Sequence, residues 1–116
     1  MIAVKGNGQT CRLERRGDAR DDIGGRRSDW SVVAGTADTP CWPQPANSRT
    51  VQAYASRQLA VTTSVFVATE LEAVAGDRLI VSDRDGEDTT TLKVVGAPLD
   101  QAGLGHLWRI DGEEWQ

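Results

Sequence analysis

Between Asp77 and Val95, two short runs rich in β-branched and aliphatic residues, Arg78-Leu79-Ile80-Val81-Ser82 and Thr89 to Val95, flank the dipeptide Asp85-Gly86. Such a dipeptide between two such runs marks a hairpin, because a tight reversal needs positive φ and glycine adopts it without a Cβ clash. A lone hairpin is marginal in water, so further strands must cover it. The rest of the chain supplies them. Leu59 to Ala68, L-A-V-T-T-S-V-F-V-A, places Val61, Thr63, Val65 and Val67 on one face. From Gln9 to Arg16, Cys11 and Leu13 alternate with Arg12 and Glu14, the pattern of a strand with one buried face. Trp30 to Ala34 reads as a strand opened by an aromatic anchor. His106 to Ile110 reads as the last strand, and Asp111 to Gln116 as a tail ending near Trp115. About six short strands and no helix predict an all-β fold, a small six-stranded barrel or sandwich with long loops. Barrel closure would also remove exposed strand edges.

Two stretches break the strand pattern. Residues 17–29 carry three glycines and four aspartates, turn chemistry that predicts a long mobile connection. Pro40, Pro43 and Pro45 fix φ and remove backbone donors, so pairing is expected to pause there. The polar residues that follow predict one long loop at about 40–58, with at most an irregular helical turn near 51–57. Residues 1–116 are expected to form a single domain with flexible termini.

Composition narrows the functional classes. No apolar run approaches the ~20 residues of a spanning helix, and Met1 to Gly8 does not read as a secretory signal. The expectation is therefore a protein that stays where it is made and is not a membrane protein. Cys11 and Cys41 lack metal-ligand spacing and are expected to be reduced, part-buried thiols. Residues 1–58 carry nine basic and six acidic side chains, whereas residues 59–116 carry four basic and eleven acidic. Such asymmetry fits a nucleic-acid contact, a subunit face that meets a complementary neighbour, or two ordinary solvated faces.

The search for chemistry yields little. His106 is the single histidine and is expected to be structural rather than a general base. Carboxylate pairs such as Asp83 and Asp85 or Glu113 and Glu114 fall in turns or at the terminus, where both members stay ionised. The Asp83 to Asp88 run lacks the ligand order of a calcium loop and reads as a hairpin tip. Gly6-Asn7-Gly8 and Gly103-Leu104-Gly105 precede no helical pattern and no Gly-Lys-Ser/Thr. The expectation is a non-enzymatic protein without catalytic, metal or cofactor-binding residues.

Taken in order, the motifs resemble a known family. Arg12, Arg15 and Arg16 close a short first strand. Asp21, Asp22, Gly24 and Trp30 follow, then a Pro-containing stretch, a long polar loop and the Val61–Val67 strand with Phe66. The strongest piece runs from Ala75 to Pro98, with Gly76-Asp77-Arg78, a strand, the Asp-Gly hairpin and Val94-Val95-Gly96-Ala97-Pro98. Over residues 9–110 the chain is similar to the head–tail joining, or head-closure ("stopper"), proteins of tailed-bacteriophage necks. It departs from them in a longer, more acidic hairpin after Val81.

The resemblance implies a structural virion protein, assembled in the host cytoplasm. It would form a homo-oligomeric ring of six or twelve copies, with heterologous contacts that close by rotation. The portal or its adaptor would lie on one side and a tail terminator or tail tube on the other, with packaged double-stranded DNA in the channel. Arg49 and Arg57 would lie on the channel-facing loop, and Arg26, Arg27, Trp30 and Trp115 would contact partners. A tail terminator, another small β-barrel adaptor and a nucleic-acid-binding barrel are the alternatives.

Overall fold

Six antiparallel strands close on themselves. The computed structural model describes residues 8–17, 30–101 and 103–115. Its elements are β1 (Thr10–Arg16), β2 (Trp30–Val32), β3 (Thr39–Pro45), α1 (Ser48–Ala55), β4 (Thr63–Val67), β5 (Arg78–Ser82), β6 (Asp88–Val94), β7 (Leu99–Asp100) and β8 (Trp108–Glu114). Around the barrel the order is β1-β3-β4-β8-β6-β5, and β5 pairs with β1 to complete the ring; β2 adds to β1, and β7 to β8. The expected all-β barrel is therefore present, with two short extra strands and one helix outside the wall.

Strand alternation fills the interior. Cys11 and Leu13, Cys41, Val65 and Val67, Leu79 and Val81, Leu92 and Val94, and Ile110 each point inward from one of the six strands. Leu71 and Ala73 join them from the segment before β5. Burying such side chains contributes about 1.5–3 kcal/mol each, which makes this packing the main source of stability. Gly112 also belongs inside. A Cβ there would lie 3.0 Å from the Leu92 Cβ and 3.1 Å from the Lys93 carbonyl oxygen, so bare backbone lets β8 run between β4 and β6.

The long loop expected at 40–58 is instead a strand followed by a helix. All three prolines lie within β3, and the register explains how. Cys41 donates its amide to the Gln9 carbonyl on the β1 side. By alternation, the nitrogens of Pro43 and Pro45 face that same side, beyond the start of β1, where no ladder bond is required. Pro40 faces the other way, past the end of β4, which begins its pairing at Cys41.

Helix α1 forms because Asn47 caps it: its Oδ1 accepts the Thr50 amide at 2.7 Å. Gln58, at φ 61°, turns the chain out of the helix, and Leu59 donates back to the Tyr54 carbonyl.

Two further expectations are corrected. The segment read as a tail is the second half of β8, because its backbone pairs with β4 and β6. The strand read from Leu59 begins at Thr63, since the preceding residues complete the exit from α1. The Asp85-Gly86 reversal stands as expected. Gly86 takes φ 86°, and the Asp83 Oδ1 accepts the amides of Asp85 and Glu87 at 2.9 and 3.0 Å. That carboxylate is thus occupied by its own hairpin tip.

Candidate functional site

The outer wall formed by β1, β5 and β6 carries a chain of alternating charges that ends in two indole rings. Asp88 accepts both terminal nitrogens of Arg12 at 2.9 Å, and the Arg12 Nε reaches Glu14 at 2.9 Å. Arg78 donates its Nε to the other Glu14 oxygen at 2.6 Å. The Arg78 guanidinium then stacks over the Trp30 ring, 4.5 Å from its centroid. Trp30 meets Trp115 edge-on, with centroids 5.6 Å apart at 82°. Trp115 hangs from the Thr91 carbonyl of β6, whereas Trp30 belongs to β2, so the two rings together bridge this wall. Ile80 lies outside the core cluster and between inward-facing Leu79 and Val81, yet it is 5% exposed. It faces outward in register with Arg12 of β1 and Thr91 of β6. Beside Trp115 opens a groove of about 560 Å³, lined by Thr62, Lys93, Glu113, Glu114 and Trp115.

The Gly76-Asp77-Arg78 motif anchors this wall. Gly76 takes φ 96° at the turn. Asp77, 2% exposed, accepts Nε and Nη2 of Arg15 at 3.0 and 2.9 Å and the Val74 amide at 3.1 Å. The turn before β5 is thereby tied to β1, and Arg78 is aimed at Glu14 and Trp30. The Arg12–Asp88 and Arg15–Asp77 pairs join the basic first half of the chain to its acidic second half, so part of the charge asymmetry is used internally.

The opposite wall, β3-β4-β8, differs. Helix α1 crosses it with Thr50 and Tyr54 turned inward, i and i+4 on one face. The Tyr54 hydroxyl donates to Asp111 Oδ2 at 2.9 Å, Ser64 donates to Oδ1 at 2.7 Å, and Arg109 pairs with the same carboxylate at 3.1 Å. One buried acid therefore fastens the helix to two strands. Above it runs a cross-strand row in register, Trp42 beside Phe66, Phe66 beside Arg109, Arg109 beside Leu99. Trp42 and Leu99 are 47% and 41% exposed, and Phe66 lies half-buried between them. An apolar row of this kind, with one cation at its centre, has the composition of a protein-contact surface.

The expected site residues separate into three groups. Trp30 and Trp115 come together as one cluster. Arg49 and Arg57 are exposed but lie on and just after α1 rather than on a free loop, and the Arg57 guanidinium sits 4.8 Å from the Tyr54 ring centroid. Arg26 and Arg27 lie outside the described residues, as does the connection at 18–29. Sequence reasoning missed the Trp42–Phe66–Leu99 row because β3 and β7 were not expected to be strands. It also passed over Asp111. Its one signal was position, an acid next to an inward Ile110 and two residues from Arg109. His106, expected to be structural, is exposed in the loop before β8.

The charged chain makes a pH prediction. Burial pushes the Glu14 carboxyl up, but the hydrogen bonds from Arg12 and Arg78 outweigh it and hold the group below its usual value. Arg12, then Ser82, hold Asp88 at about 2. Folded values below the unfolded ones of roughly 4 mean stability that is full above about pH 5 and lost as pH falls through the folded values. Asp88 is half-exposed, so solvent screening reduces its share, and Glu14 carries more of the effect. The melting temperature is expected to fall steadily between about pH 5 and 2. Glu14→Gln should flatten that slope while lowering stability at neutral pH. An unchanged slope in the variant contradicts the assignment.

No family profile and no curated protein matches this chain. Among solved structures, it is similar to the solution structure of protein SF1141 from Shigella flexneri 2a. The TM-score is 0.69 at 16% sequence identity, over 97% of this chain and 96% of that one. At such identity the likeness establishes the shared barrel fold.

Proposed function

We propose that this chain is a structural subunit of a tailed-phage neck. In this reading it is a head-closure protein of the virion, assembled in the host cytoplasm into a homo-oligomeric ring between the portal or its adaptor and the tail. It closes the DNA exit channel after packaging and presents the surface to which the tail attaches.

One observation carries the reading beyond the sequence resemblance. The barrel has two unlike aromatic surfaces on opposite walls, Trp42-Phe66-Leu99 centred on β4 and Trp30-Trp115 centred on β5. In the strand order β1-β3-β4-β8-β6-β5, β4 and β5 lie three strands apart in either direction. A ring is built from heterologous contacts, in which one patch of a subunit meets a different patch of its neighbour. Two distinct surfaces facing apart supply that requirement, and a filled interior leaves the outer walls to do the recognition.

The channel side of the proposal rests on Arg49 and Arg57, exposed cations at the two ends of α1. Replacing both by glutamate is expected to yield particles that assemble but lose packaged DNA, with infectious titre falling while particle count holds. Variant particles that retain DNA and infect like the wild type would remove these arginines from the channel. A ring seated at the tail end alone would favour a tail terminator.

A further inference from the structure

We propose that Cys11 and Cys41 are a dithiol that a peroxide oxidises to an intramolecular disulfide, stapling β1 to β3. The two strands meet at the weakest seam of the barrel. Their ladder consists of two registered pairs, Thr10 with Pro40 and Cys11 with Thr39, extended by the Cys41 amide bond to Gln9 at 3.1 Å. The other side of β1 pairs with β5 through five. Cys11 faces Thr39, and Cys41 lies two positions further along the same strand, so both side chains point into the barrel on one face. They are free thiols, 2% and 0% exposed.

As diagonal neighbours on the inner face of adjacent strands, the two thiols lie within reach of each other. Their interaction, then burial, pushes the Cys11 thiol up, and the same interaction lowers Cys41. Cys41 is therefore the member that ionises first and attacks.

The chemistry balances with hydrogen peroxide as oxidant. The Cys41 thiolate attacks one peroxide oxygen, the O–O bond breaks, and a sulfenic acid and hydroxide result. Cys11 sulfur then attacks the sulfenic sulfur. The S–S bond forms as the S–O bond breaks, and the departing hydroxyl leaves as water with the Cys11 proton. The sum converts two thiols and one peroxide into one disulfide and two waters. Peroxide is small enough to reach the pair by local opening of a two-pair ladder, without global unfolding. Diagonal partners sit wider than opposed ones, so closure draws the strands together by about 1 Å, which a short ladder permits.

The test treats the folded wild-type chain with hydrogen peroxide, then denatures it in an alkylating agent and measures intact mass. The expected product is a monomer lighter by about 2 Da that takes up no alkylating agent and reverts with dithiothreitol. Its melting temperature should rise by about 10 °C, because the staple restricts the unfolded chain. Cys11→Ser should stop at a sulfenic acid on Cys41 that dimedone traps, and the double alanine variant should show no peroxide-dependent shift in melting. Thiols that remain alkylatable, that oxidise independently to sulfinic or sulfonic acids, or that link two chains would each overturn the proposal. A disulfide that left melting unchanged would overturn it as well.

Discussion

Asp111→Ala is expected to destabilise the fold by about 3 kcal/mol, a drop in melting temperature of roughly 12 °C. The carboxylate is 3% exposed and serves three donors from three elements, Tyr54 of α1, Ser64 of β4 and Arg109 of β8. Removing it strands the two hydroxyls and leaves the Arg109 cation without its anion. Each uncompensated buried donor costs about 1–3 kcal/mol, and Arg109 sets the total toward the lower end because part of its side chain reaches water. Asp111→Asn keeps an acceptor and should lose about half as much. Tyr54→Phe should cost about 1 kcal/mol and loosen α1 alone, visible as faster amide exchange at 50–55 against an unchanged barrel. Denaturant unfolding that finds Asp111→Ala within about 0.5 kcal/mol of wild type would contradict this account of how the helix is held.

The second large effect falls on assembly rather than folding. Trp42→Ala should leave the monomer nearly as stable as wild type, because Trp42 is 47% exposed and lies on the outer face beside Phe66. In a ring interface the same indole would be a central anchor, and its loss is expected to weaken association by about 30- to 1000-fold. Trp115→Ala should act similarly from the other wall, with a modest stability loss because Trp30 loses its ring contact. Sedimentation of each variant mixed with portal complexes reads the assembly, and thermal melting of the variant alone reads the fold. Assembly at wild-type concentrations in both variants would take these walls out of the interface.

How much of this was legible in the sequence depended on which residues carried a period. The β5–β6 hairpin, the first strand and the Val-rich strand follow from alternation and from Asp85-Gly86, and all three stand within a few residues of their expected limits. β3 was hidden by its prolines. Proline argues against a strand only when its missing donor faces a partner, and here each faces an end of a neighbouring strand, a fact of register that no local rule contains. The second half of β8 was hidden in the same way. Gly112 and two glutamates look like a tail until Leu92 and Lys93 are seen to need the bare backbone beside them.

The candidate surfaces were half visible. Trp30 and Trp115 stand out as aromatics in polar surroundings, but their contact is made across 85 positions of sequence by barrel closure. The Trp42–Phe66–Leu99 row exists only in three registers at once. The ion pairs of Arg12, Arg15 and Arg78 likewise depend on β1 lying beside β5, so summed charges of each half could not separate internal pairing from an outward face.

The most direct test of the proposed neck role is electron cryo-microscopy of the purified chain mixed with portal complexes. The account predicts a closed ring on the portal axis, with the Trp42 wall of each subunit against the Trp30–Trp115 wall of the next and α1 toward the channel. Subunits that stay dispersed, or that bind free DNA away from any connector, would contradict it.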